Sequence, residues 1–107
     1  MRLFCFVALI VTYIGASAHH FELDGVFYNY LDKTAKTVEV TYSSTGKKYT
    51  GNVVIPGTVT YNNVTYTVTA IGPNSFSRCS GLVGVVIPNT VTKINSYAFY
   101  NCSSLES

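Results

Sequence analysis

Five apolar residues recur at one fixed interval in the last third of the chain. Val68 pairs with Val91, Ile71 with Ile94, Phe76 with Phe99, Cys79 with Cys102 and Leu82 with Leu105, and the offset in numbering is 23 for every pair, with no gap. A period in the low twenties is the length of one short supersecondary unit. It marks a coil that cannot bury its apolar side alone and stacks on a copy of itself to do so. The positions between the matches differ freely, as in Ala70/Lys93, Asn74/Tyr97 and Arg78/Asn101. The invariant positions are therefore expected to face inward and the others outward.

Within a coil, Val85-Val86-Ile87 and Val91-Thr92-Lys93-Ile94 read as short strands, so Val85 and Ile87 join the inward set. Ser96 to Tyr100 and its counterpart Pro73 to Phe76 read as one helical turn each. Ser96 can cap such a turn, and Pro73 suits a first turn, where no amide bond is lost. The expected repeat core is Val68, Ile71, Phe76, Cys79, Leu82, Val85, Ile87, Val91, Ile94, Phe99, Cys102 and Leu105.

The string Leu82-x-x-Val85-x-Ile87-Pro88-x-x-Val91-x-x-Ile94-x-x-x-Ala98-Phe99-x-x-Cys102-x-x-Leu105 closely resembles the BspA-like type of leucine-rich repeat, and the likeness covers residues 51–107. The earlier copy departs from it. Ser75 stands where Ala98 stands, and Ile55-Pro56 precedes Ile87-Pro88 by an offset of 32 rather than 23, so the first coil carries an insertion. The resemblance implies a β-rich repeat solenoid of about two coils, each with short strands and one helical turn. It also implies a secreted or cell-surface protein that binds an extracellular or host protein in adhesion. The alternatives are a structural spacer, or an accessory segment of a larger surface protein or a secreted carbohydrate-active enzyme.

Upstream, residues 19–50 read as a β-meander that caps the first coil. Val26 to Leu31 forms one strand and Thr37 to Tyr42 a second, in which Val38, Val40 and Tyr42 alternate with Thr37, Glu39 and Thr41. A third strand runs from Tyr49 to Ile55 and ends at Pro56, which has no amide to give a sheet. Asn62-Asn63 between two threonine-rich runs is a hairpin signal, because asparagine tolerates the left-handed backbone of a tight turn. That hairpin holds the insertion. The array reads as interrupted after Leu105, which leaves an uncapped end open to self-association.

Residues 1–18 read as a secretory signal peptide cut after Ala18. Met1-Arg2 is a short basic start, Leu3 to Ala16 is nearly all apolar, and Ala16-Ser17-Ala18 is a small-x-small cleavage pattern. As a helix, Leu3 to Ala16 spans about 21 Å, short of the roughly 30 Å hydrocarbon core, so no membrane span is expected once the leader is removed. Loss of Arg2 lowers the formal charge from +2 to +1, which steers the protein toward neither nucleic acid nor any other charged partner. Two cysteines remain, Cys79 and Cys102, at one repeat position. Their side chains point the same way, which favours a ladder of buried thiols over a bridge between them.

No catalytic constellation emerges, so the chain is read as a non-enzyme without metal or cofactor. His19 and His20 stand together at the new N-terminus, where solvated, untethered side chains are expected. Asp24 and Asp32 sit in turns, and Glu39 lies on a solvent-facing strand position. Both mature cysteines occupy core positions, with no histidine near them in sequence. Asn63-Val64-Thr65 and Asn101-Cys102-Ser103 match the N-glycosylation acceptor pattern. Of the many tyrosines, Tyr97 and Tyr100 are the candidates for binding, because the repeat core needs no aromatic at either place.

Overall fold

The computed structural model describes residues 19–106; the leader read at 1–18 lies outside the described residues, as does Ser107. Among the described residues the chain forms eight strands and no helix. They are β1 (Phe21–Leu23), β2 (Val26–Asp32), β3 (Thr37–Thr41), β4 (Gly51–Val54), β5 (Thr58–Tyr61), β6 (Val64–Ile71), β7 (Leu82–Val86) and β8 (Lys93–Ile94). Six make one sheet, ordered β8-β6-β3-β2-β1 with β5 also on β6, while β4 and β7 make a separate pair. Among the described residues there is no helix long and apolar enough to cross a membrane.

The N-terminal meander forms as its alternation dictates. Tyr28 lies opposite Val40 and Tyr30 opposite Val38, so apolar side chains gather on one face of the antiparallel β2–β3 pair. The turn between them is closed by Asp32, whose Oδ1 accepts the amides of Thr34 at 2.9 Å and Ala35 at 3.0 Å. The expected third inward residue of β3 does not face inward. Pairing stops at Thr41, and Thr41 is buried while Tyr42 is exposed. Tyr49 accounts for this: its hydroxyl donates to the Thr41 carbonyl at 2.6 Å and accepts the Phe27 amide at 3.0 Å.

β3 does more than close a meander. It pairs in parallel with β6, Val38 beside Val68 and Val40 beside Ile71, just as β8 pairs in parallel on the other edge with Ile94 beside Ile71. A row Val40–Ile71–Ile94 therefore crosses three strands. The β6–β8 register equals the sequence period, Lys93 beside Ala70, whereas most of the β4–β7 register follows the longer offset, as in Val53 opposite Val85. The difference is the β5–β6 hairpin. Its turn holds Asn62 at φ 50° and Asn63 at φ 65°, both left-handed as a two-residue hairpin turn requires.

The segments expected to make one helical turn fold instead as chains of tight turns. Ser75 N–H donates to Gly72 O, Ser77 N–H to Asn74 O and Cys79 N–H to Phe76 O. Left-handed residues interrupt them at Asn74 and Arg78, and again at the matched Tyr97 and Asn101 of the next copy, with φ between 56° and 61°. A reversal of backbone hand stops a helix from propagating. It also turns alternate amides outward: Asn74, Phe76 and Arg78 donate to the carbonyls of Ser96, Ala98 and Tyr100. A helix would use those amides internally. Here they tie one copy to the next.

The core lies between the two sheets and these turns. Phe27, Tyr49, Phe76 and Phe99 follow one another with ring centroids 5.4, 4.5 and 5.1 Å apart, and the Phe76 and Phe99 rings are parallel to within 2°. Of the expected core, Val68, Ile71, Phe76, Cys79 and Leu82 are buried. Val85, Ile87, Val91, Phe99, Cys102 and Leu105 are only half-buried, and Ile94 is 53% exposed. The inward direction is shared by both copies, but only the first is packed on both sides among the described residues.

Candidate interaction surface

Tyr97 and Tyr100 stand on the turn chain of the second copy, 66% and 44% exposed, with their rings edge to face at 5.4 Å. The backbone that sets them there is itself unusual. Tyr97 has φ 59°, a conformation in which a Cβ crowds the following carbonyl and which costs about 1–2 kcal/mol for a residue other than glycine or asparagine. Its counterpart is Asn74, a residue that tolerates this backbone. From the preceding copy, the Arg78 guanidinium lies 5.8 Å from the Tyr100 ring centroid, within cation–π range. Three side chains from two copies thus form one exposed, aromatic and cationic patch.

Sequence reasoning finds the two tyrosines and misses Arg78, because its position looks free to vary. The missed signal is that Asn74/Tyr97 and Arg78/Asn101 share backbone conformation rather than chemistry. A second exposed set lies on the outer face of the small sheet, where Val54 and Val86 are register partners at 66% and 59% exposure. The clue lies in the runs Val53-Val54-Ile55 and Val85-Val86-Ile87, which place a valine where alternation calls for a polar residue. A third is an apolar groove of about 320 Å³ lined by Val85, Ile87, Phe99 and Leu105.

Both histidines, Glu39 and Cys102 have structural partners. His19 Nδ1 accepts the Ser44 amide and His20 Nδ1 the Tyr30 amide, both at 3.0 Å, and the His20 ring stacks on Tyr30. The histidines are thus tethered, contrary to expectation. Asn29 Nδ2 donates to Glu39. Cys79 and Cys102 are free thiols; Cys79 is buried, which pushes its thiol pKa up, and Cys102 is half-buried with Sγ 2.8 Å from the Phe76 carbonyl. Burial likewise pushes the Tyr28 hydroxyl up to about 12 and raises that of Tyr49 further. No group of three metal-ligating side chains occurs among the described residues.

The profile of the BspA type leucine-rich repeat region (6 copies) matches residues 51–107, and the chain belongs to that family. Among solved structures it is similar to a leucine-rich repeat protein from Bacteroides ovatus ATCC 8483, with 36% identity and a TM-score of 0.73 over 82% of this chain and 22% of that one. A leucine-rich repeat protein from Bacteroides capillosus ATCC 29799 is 27% identical, with a TM-score of 0.66 over 79% of this chain and 60% of that one. A leucine rich cell surface protein from Faecalibacterium prausnitzii A2-165 is 31% identical, with a TM-score of 0.66 over 87% of this chain and 23% of that one. The chain thus spans about a fifth of the length of the first of these. No curated protein matches it. It is a leucine-rich repeat protein with a β-rich fold.

Proposed function

We propose that this protein is an exported, surface-displayed binding module that adheres to an extracellular or host protein and catalyses no reaction. The observation that carries the reading is Tyr97, held left-handed and exposed beside Tyr100 and Arg78. The left-handed backbone belongs to the repeat, but filling it with an exposed tyrosine where the preceding copy has asparagine costs stability that the core does not require, and Tyr and Arg are enriched in protein-binding hot spots. The similarity to a cell surface protein supports the location. In this reading residues 1–18 are removed on export, residues 19–50 cap the array, and residues 51–107 supply about two solenoid coils. β1 and β2 are the cap proper, since β3 already takes a place in the parallel stack.

The groove at Val85, Ile87, Phe99 and Leu105 is the surface through which the protein self-associates. Sedimentation at rising concentration tests this: a monomer throughout the range overturns it. The binding role is tested by surface plasmon resonance against an array of purified extracellular proteins. Retention by at least one of them, lost in the Tyr97→Ala/Tyr100→Ala double variant, supports adhesion. Retention by none, or retention indifferent to the double variant, overturns this site and leaves the spacer reading.

A further inference from the structure

The two sheets are not equally complete. β6 has parallel neighbours on both sides, β3 and β8, whereas among the described residues β4 is paired with β7 alone. In the place of a further strand stands the β1–β2 hairpin, which pairs within itself and with β3 but not with β4. Between hairpin and strand run two adjoining cavities of about 300 and 390 Å³. Both are walled by Asp24, Val26 and Val54, and neither touches any residue of β7, so both lie along the free edge of β4.

The hydrogen-bonding groups of that edge can be assigned. Gly51 and Ile55 donate their amides toward β7, to the carbonyls of Gly81 and Val86, each at 2.9 Å. In a parallel pair a residue directs both its N–H and its C=O to one neighbour, and the next residue directs both away. Asn52 and Val54 therefore aim their backbone groups into the groove. An unpaired edge of this kind is a template for another strand. One cavity is walled by Val26, Val54, Pro56 and Val59, and the other ends on Lys47 and Lys48. Lys48 already donates to the Ser77 carbonyl at 3.3 Å, so a ligand in this cavity meets two charges, the Lys47 ammonium, which would hold a carboxylate, and the Asp24 carboxylate, which would repel one placed beside it.

We propose that the free edge of β4 is a strand-addition site for an extended peptide. The peptide pairs its backbone with Asn52 and Val54, lays aliphatic side chains against Val26 and Val59, and sets a carboxylate at Lys47. The site deepens the binding-module reading by naming its partner's chemistry: a β-prone segment with alternate aliphatic residues and an acidic end. It is distinct from the Tyr97–Tyr100–Arg78 patch.

The test titrates the purified protein with a capped hexapeptide of alternating threonine and valine that ends in aspartate, followed by amide exchange and by fluorescence anisotropy of a labelled copy. Exchange at Asn52 and Val54 is expected to slow at least about tenfold at saturation. Lys47→Glu is expected to weaken this probe roughly two- to tenfold, and to strengthen a probe that ends in lysine by a similar factor. Lys47→Glu alters an exposed side chain; an unchanged thermal melt confirms that it folds. No binding, protection confined to β7 amides, or indifference to the charge swap each overturns the proposal. Tyr97→Ala/Tyr100→Ala is expected to leave probe binding intact. If it abolishes retention on the protein array while the hexapeptide still binds, the adhesive patch and the strand-addition site stand separately. If the hexapeptide fails while array retention persists, only the latter site falls.

Discussion

The first and second copies of the repeat carry five matched apolar residues and left-handed turns at matched positions, yet differ in how much they bury. Ile71 is fully buried, and Ile94, its partner in the same row, is more than half exposed. Phe76 is sealed beneath Phe99, whereas Phe99 opens on a groove. A residue's place in the pattern decides where it points. Whether it is buried is decided by the neighbouring copy. Stability in such a chain is a property of contacts between copies, and the same substitution should have different effects in each.

The largest expected contrast is between the two phenylalanines. Phe76→Ala should destabilise the protein by about 3–5 kcal/mol in urea unfolding, and Phe99→Ala by about half that, because a half-buried ring forfeits less contact area. Equal losses would mean that burial is not what separates the copies. Next comes the close approach of the first copy to β3. A Cβ on Gly72 would lie 2.8 Å from the Glu39 carboxyl carbon and 2.9 Å from the Val40 carbonyl oxygen. Gly72→Ala is expected to lose about 1–3 kcal/mol through overpacking. At the matched position, Asn95→Ala should lose only its 3.0 Å bond to the Ile71 carbonyl, about 0.5–1.5 kcal/mol.

A smaller contrast has the opposite sign. Tyr97→Asn should raise stability by about 1 kcal/mol and Asn74→Tyr lower it by a similar amount, since both sites hold a left-handed backbone. If Tyr97→Asn proves neutral in thermal melts, the strain assigned to that turn is absent. The gentlest probe changes no stability. Cys102 should be alkylated ahead of Cys79, which is buried and whose raised pKa keeps it as the unreactive thiol. Mass spectrometry after brief iodoacetamide exposure would show the order, and simultaneous labelling would break the distinction.

Much of this arrangement is legible from residues alone. The constant interval predicts which side chains share a row, and Asn62-Asn63 predicts the hairpin that lengthens the spacing between β4 and β7. The turn chains were not legible as such, because left-handed backbone at Tyr97 and Arg78 leaves no chemical signature in those residue types. The place of β3 was equally hidden. Its pairing with β6 follows no repeat interval, and Val38 and Val40 would alternate in the same way in an ordinary meander. Of the candidate surface, the tyrosines stood out as aromatics the core did not require. Arg78 and the free edge of β4 become visible only once the neighbouring copy and the neighbouring sheet are in place.

β6 carries a further consequence, for the order in which the chain assembles. It meets β5 through a two-residue turn along its first half and its parallel partners through far longer connections. A short hairpin closes in about 1–10 μs, while each distant pairing must first meet the entropy of a long loop. The insertion that interrupts the repeat in sequence thus supplies the local contact that this strand otherwise lacks, so the hairpin is the natural seed. β3 and β8 then add to an edge that already exists.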